Sequence, residues 1–216
     1  MPDFILYNYF RSSASHRVRI ALNLKKLKYE YRAVHLLKDG GEQYKPEYKK
    51  LNPMSQVPCL IHKNKPISQS MAIIDYLDHV AVEPRLFSSD PYERALTIQI
   101  CELVNSGIQP LHNNAVTGAL EKTYGVSSDN KKKWIQYWIH RGLAGLEETL
   151  AKTAGEFCVG DSVSAADCFL IPQLFSAKRF EVELAPFQTI RRIEEHTKTI
   201  EAFVLAEPSR QPDYQQ

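Results

Sequence analysis

Two regimes of hydrophobic patterning meet near residue 83. Before it, short apolar runs alternate with stretches of helical period; after it, apolar residues recur mostly at spacings of three and four. Residues 4–7 read as a strand. Residues 13–26 predict a helix in which Arg19, Asn23 and Lys26 share one narrow polar face, while Val18, Ile20, Ala21, Leu22, Leu24 and Leu27 cover most of the remaining arc. A helix apolar over so wide an arc is expected to lie between a sheet and another element. Residues 29–34 form a second strand, which the helical crossover makes parallel to the first. Lys38-Asp39-Gly40-Gly41 is a turn, followed by a short irregular helix to about Leu51. Residues 59–62 and 65–67 predict a hairpin closed at Lys63-Asn64, where Asn tolerates a positive φ. A helix then starts at Gln69-Ser70, with Ile73, Leu77 and Val80 on its inner face.

The resulting order, β-α-β-α-β-β-α, is that of a thioredoxin-like α/β domain, assigned to residues 1–82. A linker follows over 83–90, where Pro84, Ser88, Ser89 and then Pro91 interrupt regular structure. Residues 91–216 are assigned to an all-α domain with an extended C-terminal tail. There Leu96, Ile100, Leu103, Gly107 and Leu111 keep helical spacing, as do Ile135, Ile139, Gly142, Leu146 and Leu150. Ser164-Ala165-Ala166-Asp167 resembles a capping box ahead of an apolar helix that ends near Phe175. Two more helices are expected over 189–196 and 198–206. From Pro208 the tail is too rich in Pro and Gln for helix.

Composition narrows the function classes. With 27 Lys and Arg against 25 Asp and Glu among 216 residues, the chain has no basic excess for nucleic acid. Its longest basic run, Lys131 to Lys133, reads as the solvated start of a helix. No apolar stretch approaches the ~18 residues that span a bilayer. The N-terminus runs directly into a strand and leaves no room for a signal peptide, so a cytoplasmic protein is expected. Cys59, Cys101, Cys158 and Cys168 are scattered without metal-ligand spacing, which suits buried free thiols and no metal site.

Candidate chemistry concentrates in the first 70 residues. The segment from Tyr9 to Arg19 puts hydroxyls at the junction of the first strand and first helix, where ligands of open α/β sheets bind. A helix N-terminus there offers free N–H groups and a positive dipole end to an anion. Ordinary N-capping uses serine in the same place. Gln56-Val57-Pro58-Cys59 opens a strand on a Val-Pro step that can hold a cis peptide. At Gln69-Ser70, Ser again either caps a helix or holds a carboxylate. Together these elements describe a pocket for a small peptide-like anion.

The ordered set of motifs resembles the zeta class of glutathione transferases, the maleylacetoacetate isomerases. The resemblance is carried by Ser12-Ser13-x-x-x-Arg17-Val18-Arg19-Ile20-Ala21-Leu22, by Lys38 to Gly41, by Leu51-Asn52-Pro53-Met54-x-Gln56-Val57-Pro58 and by Gln69-Ser70-x-Ala72-Ile73-Ile74-x-Tyr76-Leu77. It continues through Gly107 to Leu111, Cys158 to Asp161, Ala166-Asp167 and Arg210 to Asp213, nearly the whole chain. It implies the glutathione transferase fold, glutathione as cofactor, a homodimer, and a small dicarboxylate substrate with neither nucleic acid nor membrane as partner. Carried over by residue, Ser12 bonds the glutathione sulfur with Ser13 in support, Gln43 reaches the glycyl end, Val57 meets the cysteinyl backbone, and Gln69 with Ser70 holds the γ-glutamyl group. Gln109, Asn113, Asn114 and Ala115 border the site, and Arg11 and Arg179 are candidates for a substrate carboxylate. The implied reaction is the cis-trans isomerisation of maleylacetoacetate to fumarylacetoacetate in aromatic amino acid catabolism.

Three positions depart from the family pattern. Ala14 stands where Cys is frequent, His16 where an aromatic residue is common, and Ala115 where the family has Ser. Maleylpyruvate isomerisation, glutathione transfer to small halogenated acids, and a non-catalytic interaction module all remain compatible with the motifs.

Overall fold

In the first strand, β1 (Phe4–Asn8), Phe4, Leu6 and Asn8 are buried in alternation, as a pleated strand packed on one face requires. The computed structural model describes residues 3–215. Helix α1 (Ser13–Leu24) carries the chain across to β2 (Tyr29–Ala33), which pairs parallel with β1 from Phe4↔Tyr29 to Asn8↔Ala33. Two 3-10 turns, Lys38–Gly40 and Glu42–Tyr44, and the short α2 (Pro46–Leu51) lead to β3 (Cys59–His62), antiparallel to β1. The chain reverses at once into β4 (Lys65–Ser68). Lys63 and Asn64 both take positive φ, 50° and 61°, the signature of a two-residue type I′ hairpin. The sheet order is β2-β1-β3-β4. Helix α3 (Ser70–Val80) follows; its buried face is Ile73, Ile74 and Leu77, while Val80 in the last turn is exposed.

The second unit is helical. It contains α4 (Pro91–Asn105), α5 (Asn114–Lys122), α6 (Ser128–Thr153), α7 (Ala165–Arg179) and α8 (Gln188–Thr197). The core side chains Ile100, Val104, Ile139, Leu143, Leu146, Phe169 and Leu174 are fully buried. Helix α4 stops at Asn105, short of the periodicity that reaches Leu111, and a 3-10 turn, Gln109–His112, takes over. Pro110 accounts for the break, because its ring and missing N–H do not fit a helix interior. Gly142 on α6 accommodates Ile108 just before that turn; a Cβ there would lie 2.3 Å from Ile108 Cγ1. Helix α7 runs one turn past the expected end near Phe175 and contains Pro172.

The chain divides into two compact units: one takes residues up to Leu86 together with the stretch from Lys198 onward, the other is Phe87–Thr197. The sequence-based boundary placed all of 91–216 with the helices, whereas α9 (Glu201–Ala206) packs on α1. The reason lies on α1. Its polar stripe does not face solvent: Arg19 Nε donates to the Ala206 carbonyl at 3.1 Å and Asn23 Nδ2 to the Ala202 carbonyl at 3.0 Å. A fully buried guanidinium requires acceptors, and the returning segment supplies them. Lys25 is satisfied in the same way, its Nζ donating to Asp78 at 2.8 Å, the Ala81 carbonyl at 2.6 Å and the Pro84 carbonyl at 2.9 Å. Among the described residues, no helix is long and apolar enough to cross a membrane.

Candidate active site

The chain leaves β1 through buried Tyr9 and Phe10 and turns into α1 at Ser12, whose N–H donates to the Tyr9 carbonyl at 3.0 Å. Ser12 has extended backbone angles, φ −70° and ψ 118°, and its Oγ accepts from the Ser15 N–H at 3.2 Å. It is therefore the N-cap. Capping uses only one acceptor site of the hydroxyl; its proton remains available to a second partner. The two readings of this serine, cap and sulfur ligand, are compatible. Ser13 and Ala14 begin the helix, where N–H groups have no intrahelical carbonyl to bond.

The start of α3 is built differently. Gln69 takes φ 73° and ψ 119°, a left-handed backbone costly for a residue with a Cβ, and its side chain makes no cap. Ser70 behind it is buried, and Arg17 Nη1 from α1 donates to Ser70 Oγ at 3.1 Å. Arg17 is 1% exposed, so α1 delivers a buried cation to an uncapped helix N-terminus. This residue was missed in the sequence reading. The signal for it was a guanidinium on the apolar arc of α1 beside Val18, Ile20 and Ala21, where a charge needs a buried partner.

Val57 precedes β3, is joined to Pro58 by a cis peptide, and packs in one apolar cluster with Tyr9, Phe10, Val34 and Tyr48. Leu36 leans on that cluster, and its carbonyl accepts from Gln43 Nε2 at 3.2 Å. Gly41 makes room for the Gln43 side chain; a Cβ there would lie 2.6 Å from Gln43 Nε2. Gln43 Oε1 is buried with no hydrogen-bond partner among the described residues. Ser12, Ser13, Val57, Gln43, Gln69 and Ser70 thus all belong to one unit, linked through the Tyr9–Phe10 cluster and through Arg17.

One departure from the family pattern, His16, finds a physical setting here. His16 is buried, and burial, aided by Arg19, holds its pKa well below the usual imidazole value, so it is neutral at physiological pH. Cys59 opens β3 as a core side chain, and burial pushes its thiol up to about 11. Arg11 lies beside the Tyr9 and Phe10 rings, at 6.0 and 5.8 Å from their centroids.

In the helical unit, Gln109 opens the 3-10 turn and His112 closes it. His112 is buried, pairs with Gln173 of α7 at 3.2 Å and has its ring 6.1 Å from Phe180. Asn113 caps α5 by accepting from the Val116 N–H at 2.9 Å, and Asn114 and Ala115 follow as exposed first-turn residues. Arg179 ends α7, exposed, with its guanidinium 4.8 Å from the Phe180 ring centroid. Phe180 therefore neighbours both Arg179 and His112; sequence reasoning did not single out His112 or Gln173.

The donor set of the α/β unit suits a tripeptide thiol. A hydroxyl proton stands at one helix N-terminus, a buried cation with a hydroxyl at another, and Gln43 Oε1 is a buried acceptor with no partner among the described residues. Comparison with known proteins agrees. The glutathione S-transferase N-terminal domain matches residues 2–79 and its C-terminal domain residues 136–198. The chain is 46% identical over 209 residues to the maleylacetoacetate isomerase of Dictyostelium discoideum, covering 97% of this chain and 95% of that protein. The holo structure of a maleyl pyruvate isomerase, a bacterial glutathione S-transferase of the zeta class, superposes with a TM-score of 0.94 at 38% identity, covering 98% of this chain and 100% of that one. The maleylacetoacetate isomerase of Methylobacterium extorquens AM1, with bound malonate and glutathione, gives a TM-score of 0.91 at 35% identity over 98% and 100% of the two chains. With its α/β and helical parts both matched by one family, and relatives aligned along nearly its full length, the chain belongs to the zeta class of the glutathione transferases.

Proposed function

We propose that the protein is a cytoplasmic, homodimeric, glutathione-dependent isomerase that converts maleylacetoacetate to fumarylacetoacetate. The observation that carries this reading is the pair of helix starts: Ser12 on α1 with its hydroxyl proton available, and Ser70 on α3 with buried Arg17 reaching it from α1. Glutathione bound here supplies a thiolate that adds reversibly to a conjugated double bond, making it single so that rotation precedes elimination. The protein's task is to hold that thiolate at neutral pH and to fix a dianionic substrate.

The energetics decide which groups are needed. A free thiol with a pKa of ~8.5 is mostly protonated at neutral pH. Lowering that value by two units requires about 2.7 kcal/mol. A helix dipole contributes ~0.3–1 kcal/mol, which is too little alone. A hydroxyl bonded to a charged sulfur adds roughly 1.5–3 kcal/mol, so Ser12 and the α1 N-terminus together reach the required size. Arg17, Ser70 and Gln69 take the γ-glutamyl carboxylate, Gln43 the glycyl end, and Val57 the cysteinyl backbone. Within residues 1–82, taken as the glutathione-binding domain before a linker at 83–90, Ser13 supports Ser12. Arg11 and Arg179 are assigned to substrate carboxylates, and Gln109, Asn113, Asn114 and Ala115 to the border of the site. An arginine holds a carboxylate bidentately, which suits the orientation of a flexible diacid.

The test is retention on immobilised glutathione followed by isomerisation of maleylacetone, with maleylpyruvate and a halogenated acid assayed alongside. Retention with maleylacetone turnover supports the reading. Retention with turnover only of maleylpyruvate or of the halogenated acid replaces the substrate; binding without any turnover makes the protein a non-catalytic module.

A further inference from the structure

The C-terminal tail is the least expected neighbour of the catalytic turn. After α9, a 3-10 turn, Pro208–Arg210, brings in Gln211, whose Nε2 donates to the carbonyls of Leu205 at 2.9 Å and Glu207 at 2.8 Å. The tail thereby folds onto α9 and carries Asp213 to the end of β1. One carboxylate oxygen of Asp213 accepts from the Phe10 N–H at 3.1 Å, and the other accepts from the Tyr31 hydroxyl on β2. The rings of Tyr214 and Phe10 meet edge to face at 5.5 Å. Phe10 lies 203 residues away in sequence.

The opposite side of the same peptides is held by Arg19. Its Nη2 donates to the Phe10 carbonyl at 2.9 Å, and its Nη1 to Asn8 Oδ1 at 3.1 Å and the Tyr9 carbonyl at 3.4 Å. Its Nε reaches the Ala206 carbonyl. Both polar groups of Phe10, immediately before Arg11 and Ser12, are thus held by side chains: the N–H by Asp213, 203 residues away, and the carbonyl by Arg19 of α1. Burial lowers Arg19 to about 10, which leaves it charged at neutral pH and in the field of Asp213. Burial and the bond to Asp213 hold the Tyr31 phenol above its ordinary value, so it remains a donor.

We propose that Asp213 is a positioning residue of the active site: anchored by Tyr31 and opposed by Arg19, it fixes the turn that presents Arg11 and Ser12. The proposal rests on the reading that Ser12 bonds the glutathione sulfur. Geometry is what such a bond demands, since a displacement of about 1 Å at a reacting group costs on the order of 100-fold in rate. Ser12 is aimed by the turn before it, and the tail completes that turn.

The experiment uses full-length Asp213→Ala and Asp213→Asn. Hydrogen exchange at the Phe10 amide, with Leu60 as a core reference, is measured without glutathione. The thiol of bound glutathione is then titrated by its thiolate absorbance. Asp213→Ala is expected to speed Phe10 exchange by about tenfold or more, the loss of one charge-assisted hydrogen bond. It should also raise the apparent thiol pKa by about half a unit or more, and lower kcat by about tenfold with a smaller change in glutathione KM. Asp213→Asn, which keeps one acceptor oxygen, should fall between the alanine variant and wild type. An unchanged thiol titration overturns the proposal, whatever happens to the amide or to thermal stability. Should Asp213→Ala fail to fold, Tyr31→Phe removes the anchor while leaving the carboxylate; it should shift the titration in the same direction, and no shift overturns the proposal. Ser12→Ala is titrated in parallel. If it leaves the thiol unchanged, the assignment of Ser12 to the sulfur fails; if it shifts the thiol and no tail variant does, that assignment stands and the role of Asp213 falls.

Discussion

At the start of α7, one buried carboxylate of the protein collects the donors around it. Asp167 accepts from the Ser164 N–H at 2.8 Å, the Ser164 hydroxyl at 3.0 Å and the Cys158 N–H at 2.9 Å, and it is fully buried. At the start of α3, Gln69 makes no cap, takes a left-handed backbone, and the Ser70 hydroxyl is engaged by a guanidinium from another helix. Both starts carry serine near the first turn, and the sequence cue is almost the same. They differ in where the positive end of the helix is answered. On α7 a carboxylate of the protein answers it, which closes the end and stabilises the fold. On α3 Gln69 makes no cap and the Arg17 guanidinium lies against the Ser70 hydroxyl, an arrangement that the proposed function assigns to the glutathione carboxylate. The capped start of α7 serves the fold; the proposed function gives the start of α3 to binding.

The largest effect belongs to the closed end. Asp167→Ala leaves the N–H groups of Ser164 and Cys158 without their acceptor, and unfolding stability should fall by about 2–5 kcal/mol in chemical denaturation. The variant that remains folded should keep its glutathione affinity, because the proposed function places no ligand group at α7's start. A loss of affinity with stability intact would break the comparison. At the open end the pattern reverses. Arg17→Met should weaken glutathione binding by about ten- to hundredfold in calorimetry, the value of one charged hydrogen bond. Unchanged affinity would mean that the α3 start holds no carboxylate. The smallest effect concerns thiols. Burial pushes Cys59 up to about 11 and holds Cys158 well above its usual range, and Cys101 and Cys168 are also buried. With Ala14 in place of a cysteine, alkylation that spares the fold should leave turnover nearly intact once fresh glutathione is added. Rapid loss of activity with one cysteine labelled, and protected by bound glutathione, would assign the reactive sulfur to the protein.

How much of this was legible in the sequence follows from the range of the contacts. The order β-α-β-α-β-β-α, the hairpin at Lys63-Asn64 and the box at Ser164 to Asp167 are encoded within a few residues, and periodicity and turn chemistry expose them. The serines at positions 12, 13 and 70 were singled out because helix starts are local signals. Arg17 was not, since its partner Ser70 lies 53 residues away and a lone arginine on a helix ordinarily reads as solvated. Arg19 and Asn23 were read as a polar face, which is correct as chemistry; that α9 covers this face depends on contacts across 187 and 179 residues. The same distance hid the return of the last segment to the first unit. Helix α5 passed unnoticed because its nine residues give periodicity little to work on.

The central claim is that the Ser12 hydroxyl, while capping α1, holds the glutathione thiolate. It is tested most directly by titrating the thiol of bound glutathione and measuring turnover in Ser12→Ala beside Ser13→Ala. Ser12→Ala should raise the thiol pKa by about one unit or more and cut turnover by roughly ten- to hundredfold, with much less change in glutathione affinity. Ser13→Ala should change both far less. Full activity and an unshifted thiol in Ser12→Ala, with the losses appearing in Ser13→Ala instead, would contradict the claim.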